Sequence, residues 1–225
     1  MQRASISTFA TVCILLTSTR TLAADNDFTL FNGRNLQGWT YQLADPNARA
    51  SDIWSIKDGI LHCTGKATGY IITKRNDFQN YVLTVEWRWP DKGGNNGVLV
   101  HATTPGALGV WPKSFEVQLQ NGDAGELWVI GTTLKIARSA THIEDRRHKN
   151  FIRGAERPLG EWNKMEITCR GNEIQVSVNG YLVNQATQLS QQHGAIALQS
   201  EGTPIEFRKV SLRKIFATGS PRPLR

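Results

Sequence analysis

The sequence predicts an all-β domain, a sandwich or jelly roll of two antiparallel sheets, and three observations support this fold class. Short segments rich in β-branched and aromatic residues follow one another from Phe28 to Ile215, separated by turn residues. Little of the sequence shows the apolar period of a helix. The motifs of P-loop, Rossmann, zinc-protease and serine-hydrolase enzymes are absent, which removes the common nucleotide-binding, zinc-protease and serine-hydrolase functions.

The first half of the sequence alternates predicted strands with turns. A strand pair around an Asp-Gly turn is followed by a long strand rich in aromatic residues and by three shorter ones. These segments are Ile53–Gly65, Tyr81–Trp89, Gly97–Ala102, Phe115–Gln120 and Glu126–Gly131.

The second half begins with residues 133–158, which are charged and poorly patterned. We expect a long surface loop there, and loops of this length are often functional. Beyond it, Asn179-Gly180 is the strongest signal in the chain for a type I′ hairpin turn. The strands predicted in this half are Lys164–Cys169, Glu173–Val178, Gly194–Gln199 and Ile205–Ile215.

The N-terminal segment has the features of a secretory signal peptide. Arg3 supplies a positive start, Phe9–Leu16 is an apolar run too short to span a bilayer, and Thr21–Asp25 offers small residues for cleavage. We therefore expect residues 1–24 to be a signal peptide, 25–216 the folded domain and 217–225 a flexible tail. The protein is expected to be exported, to the periplasm or the medium, with no stable membrane insertion.

Charge and cysteine content limit which partners and which covalent links are expected. The formal net charge is +7, but no aromatic-basic recognition motif accompanies it, so we expect a solvated basic face and no nucleic-acid partner. Cys63 and Cys169 remain after signal removal and fit either a disulfide or two buried thiols. Neither lies in a CxxC motif, so they do not indicate zinc.

The segment "FEVQLQ" is the first candidate for a site. Its apolar residues alternate with Glu116, Gln118 and Gln120, as in a strand with one buried face. Jelly-roll glucanases place carboxylates at this spacing, as E-x-D-x-E. A retaining glycosidase needs two carboxyl groups about 5–5.5 Å apart, and here the second and third acids are amides. The row is either a solvent-facing polar face or a site that needs a single base.

Other candidate residues lie on nearby strands. His101 is either a hydrogen-bonded structural histidine or a general base. Arg88 either forms a surface ion pair with Glu86 or stabilises an oxyanion. Aromatic faces can stack on sugar rings, and Trp111 and Trp128, which flank the "FEVQLQ" strand near turns, are the candidates for such a rim.

Seven segments together resemble the 3-keto-disaccharide hydrolase family. "FTLFNGRNLQGW", "WSIKDGIL", "YVLTVEWRW", "GNNGVLVH", "FEVQLQNGDAGELW", "GEWN" and "GAIALQSEG…IEFRKVSLRKI" match its motifs in order, from Phe28 to Ile215. Asn96, His101 and Lys209 depart from the residues common there. The resemblance implies a single concanavalin A-like jelly-roll domain that acts on sugars oxidised at C3, by hydrolysis or by lyase and hydratase steps.

The chemistry of a 3-keto sugar fits a site with one carboxylate. The ketone acidifies the C2 hydrogen, so a single base can start elimination of the C1 substituent, and water then adds to the double bond. We expect Glu116 or His101 to be the base and Arg88 and Asn95 to polarise the ketone. Gln118, Gln120 and Gln199 would hold hydroxyl groups.

Two alternatives remain open at this point. A divalent metal bound by His101 and Glu116 could take the place of Arg88. A carbohydrate-binding module of the same fold, using the same face without turnover, is the competing class of function.

Overall fold

In a computed structural model that describes residues 27–136 and 143–215, the chain is almost entirely β-structure. Its only helix within those residues is the single turn α1 (Ala50–Ile53). The strands are β1 (Asp27–Thr29), β2 (Trp39–Leu43), β3 (Trp54–Lys57), β4 (Ile60–Cys63), β5 (Gly69–Thr73), β6 (Tyr81–Arg88), β7 (Gly97–Leu108), β8 (Trp111–Gln118), β9 (Leu127–Ile130), β10 (Lys135–Ile136), β11 (Ile143–Glu144), β12 (Arg147–His148), β13 (Asn163–Arg170), β14 (Glu173–Val178), β15 (Tyr181–Thr187), β16 (Ala195–Ser200) and β17 (Ile205–Lys214).

The strands form two antiparallel sheets that pack face to face. The back sheet has the order β10-β15-β14-β13-β6-β17-β4-β3, and β1 pairs with the later part of β17. The front sheet has the order β11-β12-β9-β8-β7-β16-β5-β2. This jelly-roll sandwich confirms the fold class that the sequence predicts.

Two hairpin turns follow directly from the local sequence. Asp58 and Gly59 have φ values of 52° and 77° between β3 and β4, and Asn179 and Gly180 have 50° and 88° between β14 and β15. Positive φ at both central residues defines a type I′ turn, whose twist matches that of the strands. Asn, Asp and Gly adopt this backbone at low cost, so these turns are encoded locally.

The main core lies between the sheets and is built from alternate residues of each strand. On β6 the residues Leu83, Val85 and Trp87 are fully buried, and Phe115 and Val117 of β8 face them from the front sheet. Burying each such side chain stabilises the fold by about 1.5–3 kcal/mol. The period of two in the sequence therefore decides which face of each strand meets the core.

A second apolar cluster covers part of the outer face of the front sheet, the face turned away from the core. Its buried members are Tyr70, Ile72, Leu99, Ala102, Ile130, Ala195 and Ala197. The hairpin of β7 and β8 folds over them, so that Val110 and Trp111 pack against the cluster. β7 ends at Leu108 rather than at the predicted Ala102, because Pro105 and Gly106 hide the strand from sequence patterns.

The two cysteines are buried free thiols, so the disulfide alternative is not realised. Cys63 lies on β4 and Cys169 on β13, and β17 and β6 separate these strands in the back sheet. Neighbouring strands are about 4.8 Å apart, so the Cα atoms lie beyond the roughly 7 Å that a disulfide can bridge.

The predictions for the two termini fall outside the described part of the chain. The signal peptide predicted for residues 1–24 and the tail predicted for 217–225 therefore stay predictions. Within residues 27–136 and 143–215, no helix is long and apolar enough to cross a membrane.

Candidate functional site

The outer face of the front sheet carries a cavity of about 190 Å³ around the polar row of β8. The alternation that buries Phe115 and Val117 in the core turns Glu116 and Gln118 to this face. Gln120, just beyond the end of β8, continues the row. The other lining residues are Asn95, Leu108, Trp111, Trp128, Ile130, Arg146, Gln199 and Glu201.

Gly97 makes room for the central side chains of this cavity. It starts β7 directly opposite Gln118. A Cβ atom at this position would lie 2.7 Å from Oε1 of Glu116 and 2.8 Å from Oε1 of Gln199, closer than real Cβ contacts allow. The glycine therefore lets the Glu116 and Gln199 side chains lie side by side over the sheet.

The carboxyl group of Glu116 is buried without an opposing ion pair in the described residues. Only 8% of the residue is exposed. Burial raises its pKa to about 7, and the nearby charge of Glu201 acts in the same direction. Gln199 and Arg146 lower the pKa, but by less. A carboxyl group with a pKa near neutrality can both accept and return a proton, which suits a general base.

Glu201 is a second carboxyl group in the cavity, and no sequence motif identifies it. Burial raises its pKa, and a hydrogen bond from Asn95 opposes the increase. It stands just after β16 (Ala195–Ser200), two residues beyond Gln199. The period of two along this strand could have found it, because it continues the outer-face row past the end of the strand.

Arg146 brings a positive charge to the cavity from the irregular segment 133–158. Its guanidinium carbon lies 5.6 Å from the centre of the Trp128 ring. The neighbouring Arg147 pairs with Trp128 in the sheet and forms ion pairs with Glu126 (2.5 Å) and Asp123 (2.9 Å). These contacts hold the segment beside β9. The segment thus contributes to the cavity, although its sequence does not single out Arg146.

Three polar atoms of the cavity walls are buried and have no hydrogen-bond partner in the described part of the chain. They are Oδ1 of Asn95, Oε1 of Gln199 and Nε1 of Trp128. Leaving such an atom unpaired costs about 1–3 kcal/mol, so native proteins keep few of them. All three atoms belong to residues that line the cavity, which makes these side chains candidate contacts for a polar ligand.

Gln118 and Trp111 complete the walls. The side-chain oxygen of Gln118 accepts hydrogen bonds from the backbone N–H groups of Leu119 and Gln120, both at 2.9 Å. Its orientation is therefore fixed, and its NH₂ group is the end that can donate to a ligand. Trp111 stacks on Tyr70 with ring centres 6.3 Å apart.

The structure does not bring His101 to Glu116. The pairing of β7 shifts register between Val100 and Thr103, and His101 has a φ of 51°. This bulge turns the imidazole into the core, where it contacts Tyr81 and Phe115 edge to face. Its Nδ1 lies 3.0 Å from the carbonyl oxygen of Gln191. Burial lowers its pKa to about 4, so it stays neutral. The structural alternative for His101 is the one observed.

Arg88 is also separated from Glu116, because it lies on the outer face of the other sheet. Its Nε is 2.6 Å from Glu206, and its guanidinium stacks on Trp162 at 4.6 Å. Glu86, the partner expected from the sequence, pairs instead with Arg208 at 2.6 Å. Alternate residues show which side chains of a strand share a face, but the sequence does not reveal in which of the two sheets the strand lies.

The two residues considered as metal ligands lie on opposite faces of the front sheet. His101 points into the core and Glu116 into the outer cavity. Among residues 27–136 and 143–215, no group of three or more His, Cys, Asp or Glu side chains is arranged to hold a metal ion.

The sequence matches a family model over residues 28–213, described as a 3-keto-α-glucoside-1,2-lyase-like domain. The chain belongs to this family. The match spans almost all of the described residues, and it confirms the resemblance found in the ordered sequence motifs. None of the curated proteins matches the sequence.

Solved structures support the fold of this 3-keto-α-glucoside-1,2-lyase-like domain. A protein of Parabacteroides distasonis ATCC 8503, provisionally named a glycosyl hydrolase, has 24% identity and a TM-score of 0.60, with 84% of this chain and 99% of that one covered. A β-glucanase from Bacillus licheniformis has 14% identity and a TM-score of 0.55 (84% and 98% covered). A carbohydrate-binding module from Bacillus subtilis has 10% and 0.54 (79% and 96%). At these identities the likeness concerns the fold alone.

Proposed function

We propose that this protein cleaves 3-keto-glycosides by elimination followed by hydration, with Glu116 as the base. One observation carries the proposal. A buried carboxyl group whose pKa burial raises to about 7 lies in a cavity with an arginine and several amides. A base of this kind matches the acidity that a C3 ketone gives to the C2 hydrogen. The family to which the chain belongs supports the same chemistry.

The reaction proceeds in two steps, elimination and hydration. Glu116 takes the proton from C2, the electron pair forms the C1–C2 double bond, and the bond from C1 to the leaving oxygen breaks. A water molecule protonates the leaving oxygen, and its hydroxide adds to C1. The Glu116 carboxyl group exchanges its proton with water while the intermediate is bound and then donates a proton to C2, so that the net change is hydrolysis and the carboxylate is regenerated.

Arg146 takes the role that the sequence assigned to Arg88. Negative charge develops on the C3 oxygen as the C2 proton leaves, and a guanidinium in a partly dry cavity stabilises such a charge. Arg146 is the arginine that lines the cavity with Glu116. Asn95 suits a different role from the one expected, because its NH₂ group bonds to Glu201 and its oxygen is left to accept.

The unpaired polar atoms of the cavity fit the hydroxyl groups of a sugar ring. A hydroxyl group donates one hydrogen bond and accepts others, so it can satisfy Oε1 of Gln199, Oδ1 of Asn95 or Nε1 of Trp128. Gln118 and Gln120 extend the same polar wall. Export of the protein, inferred from residues 1–24, would place this site in the periplasm or outside the cell, where glycosides arrive.

A carbohydrate-binding module without turnover is the second candidate. The observation in its favour is the pair of indole rings, Trp111 and Trp128, in the walls of the cavity. A binder, however, gains nothing from a carboxyl group kept in a site that raises its pKa to about 7. Burying an unpaired charge costs stability, and such costs are typical of catalytic sites.

The decisive experiment follows the C2 hydrogen. The protein is incubated in D₂O with the 3-keto form of 4-nitrophenyl α-glucoside, and the products are examined by absorbance and NMR. We expect release of 4-nitrophenol and a single deuterium at C2 of the 3-keto-glucose. Free 3-keto-glucose in the same buffer measures exchange without cleavage.

Two other outcomes contradict the proposal in different ways. Release without deuterium at C2 would show direct hydrolysis and would exclude the elimination step. Tight binding of the 3-keto-glycoside without any release would establish the binding module instead.

A further inference from the structure

The cavity is divided into a polar end and an apolar end, and Glu116 lies between them. Gln118 and Gln120 follow Glu116 on the outer face at steps of two residues, whereas Trp111 lies at the other end of β8, at the tip of the β7–β8 hairpin. Each step of two residues covers about 6.6 Å. The neighbouring strands follow the same division. Ser114, on the hairpin side of Glu116, pairs with the apolar Ile130, and Gln118, on the other side, pairs with Gly97. The cavity is therefore a directional site.

The polar end has the groups that recognise the oxidised sugar. Asn95, Gln120 and Glu201 lie there, and Gln118 and Gln199 adjoin Glu116. The unpaired oxygens of Asn95 and Gln199 both belong to this end. In the proposed function the hydroxyl groups of the oxidised ring pair with these oxygens, and C2 of the ring lies beside Glu116.

The apolar end is formed by the tip of the β7–β8 hairpin. Leu108, Trp111 and Ile130 line the cavity there. Trp111 is fixed by its stacking on Tyr70, and Ile130 belongs to the buried outer cluster. Leu108 is 43% exposed, although it is a large apolar residue at the mouth of a cavity. Exposed apolar surface in a cleft commonly marks the place of an apolar ligand group.

We propose that the leaving group of the substrate is a planar aromatic ring, packed against Leu108 and Trp111, rather than a second sugar. The inference rests on the proposed function, because the polar end holds the oxidised ring and the C1 substituent then extends towards the hairpin. A second sugar would place hydroxyl groups against Leu108 and Ile130, whose side chains cannot form hydrogen bonds. An aryl group buries apolar area there instead.

The test uses binding, so that it does not depend on turnover. The Glu116→Gln variant is titrated in a calorimeter with the 3-keto form of phenyl α-glucoside and with the 3-keto form of a glucose disaccharide. We expect the phenyl compound to bind at least about tenfold more tightly, the scale on which apolar pockets discriminate. Adding Leu108→Ser should remove most of this ratio.

Leu159→Ser, in the same Glu116→Gln background, is the matched control. Leu159 is another exposed leucine, but it does not line the cavity, so its replacement should leave the ratio unchanged. Near-UV circular dichroism checks that each variant is folded.

Three results would overturn the inference: equal affinities, tighter binding of the disaccharide, or no binding of either compound. If the ratio of the two affinities is unchanged by Leu108→Ser, the apolar wall at Leu108 is not its cause. Turnover of both compounds by the unaltered protein tests the proposed function separately. An enzyme that cleaves both and binds them equally retains the proposed function and loses only the aromatic leaving group.

Discussion

Glu116 and Glu206 are equally buried glutamates on the outer faces of the two sheets, and they differ in their partners. Each is 8% exposed. Glu206 lies 2.6 Å from Arg88 and 3.0 Å from His62 on the back sheet. Glu116 has no ion pair within the described residues. The charge that shifts its pKa most is that of another carboxyl group, Glu201.

The difference separates structural charge from functional charge. On the back sheet, Arg88 and Arg208 both stack on Trp162, and each pairs with a glutamate, so the charges of these two arginines are compensated. On the front sheet, burial without compensation raises the pKa of Glu116. A protein pays for such a site in stability, which indicates that the site has another purpose.

The largest expected effect contrasts the two glutamates in catalysis. Replacing Glu116 by Gln removes the base and should lower kcat on a 3-keto-glycoside on the order of 1,000-fold, the contribution typical of general base catalysis. Glu206→Gln, on the other sheet, should retain kcat. Release of 4-nitrophenol measures both. Full activity of Glu116→Gln would exclude the role of Glu116 as base.

The second prediction concerns the dependence of stability on pH. The pKa of Glu116 is about 7 in the folded protein against an ordinary value of 4.5, so the folded state holds a proton that the unfolded state releases between these values. Stability is therefore lost as the pH rises from 4.5 to 7, by about 3 kcal/mol in total for this group. Glu116→Gln should equal the unaltered protein in urea unfolding at pH 4 and exceed it at pH 8.

A constant difference between the two proteins across this pH range would contradict the raised pKa. The comparison is internal, because every other titrating group is present in both proteins.

The third prediction breaks the compensated cluster. Arg88→Met leaves Glu206 with His62 alone and removes one stacking contact with Trp162. Because Arg88 is partly exposed, the free energy of unfolding should fall by about 2 kcal/mol, less than for a fully buried pair. Activity should be unchanged. Arg170→Met, at an exposed position of the same sheet, should change stability by less than about 0.5 kcal/mol.

The smallest expected effect refines the front-sheet site. Glu201→Gln removes a negative charge that raises the pKa of Glu116, so the rising limb of kcat/KM against pH should move to lower pH. The exposed Glu161, replaced by Gln, should leave the limb in place. A limb that does not move with Glu201→Gln would show that burial alone sets the pKa.

Local sequence patterns predicted the polar row of the site but not its charged partners. Glu116, Gln118 and Gln120 follow a period of two, and Gln199 lies on a strand of the same kind, so their shared face could be predicted. Arg146 comes from a segment without a pattern, and its contact with Trp128 depends on the pairing of β12 with β9. Contacts between distant segments leave no local signal.

His101 shows the limit of periodicity within a single strand. Counting by two from Leu99 places it on the outer face, but the bulge after Val100 inserts a residue and turns the ring into the core. One irregular residue therefore reverses the face predicted for every residue that follows it in the strand.

The sequence by itself determined the sandwich, its type I′ turns and the alternation that keeps Glu116 out of the core, because these depend on neighbours along the chain. The tertiary structure decided which polar groups meet: it sent Arg88 to the back sheet, brought Arg146 and Glu201 to the cavity and folded Leu108 over its apolar end. Burial, which raises the pKa of Glu116, exists only once the strands and loops that line the outer cavity have come together.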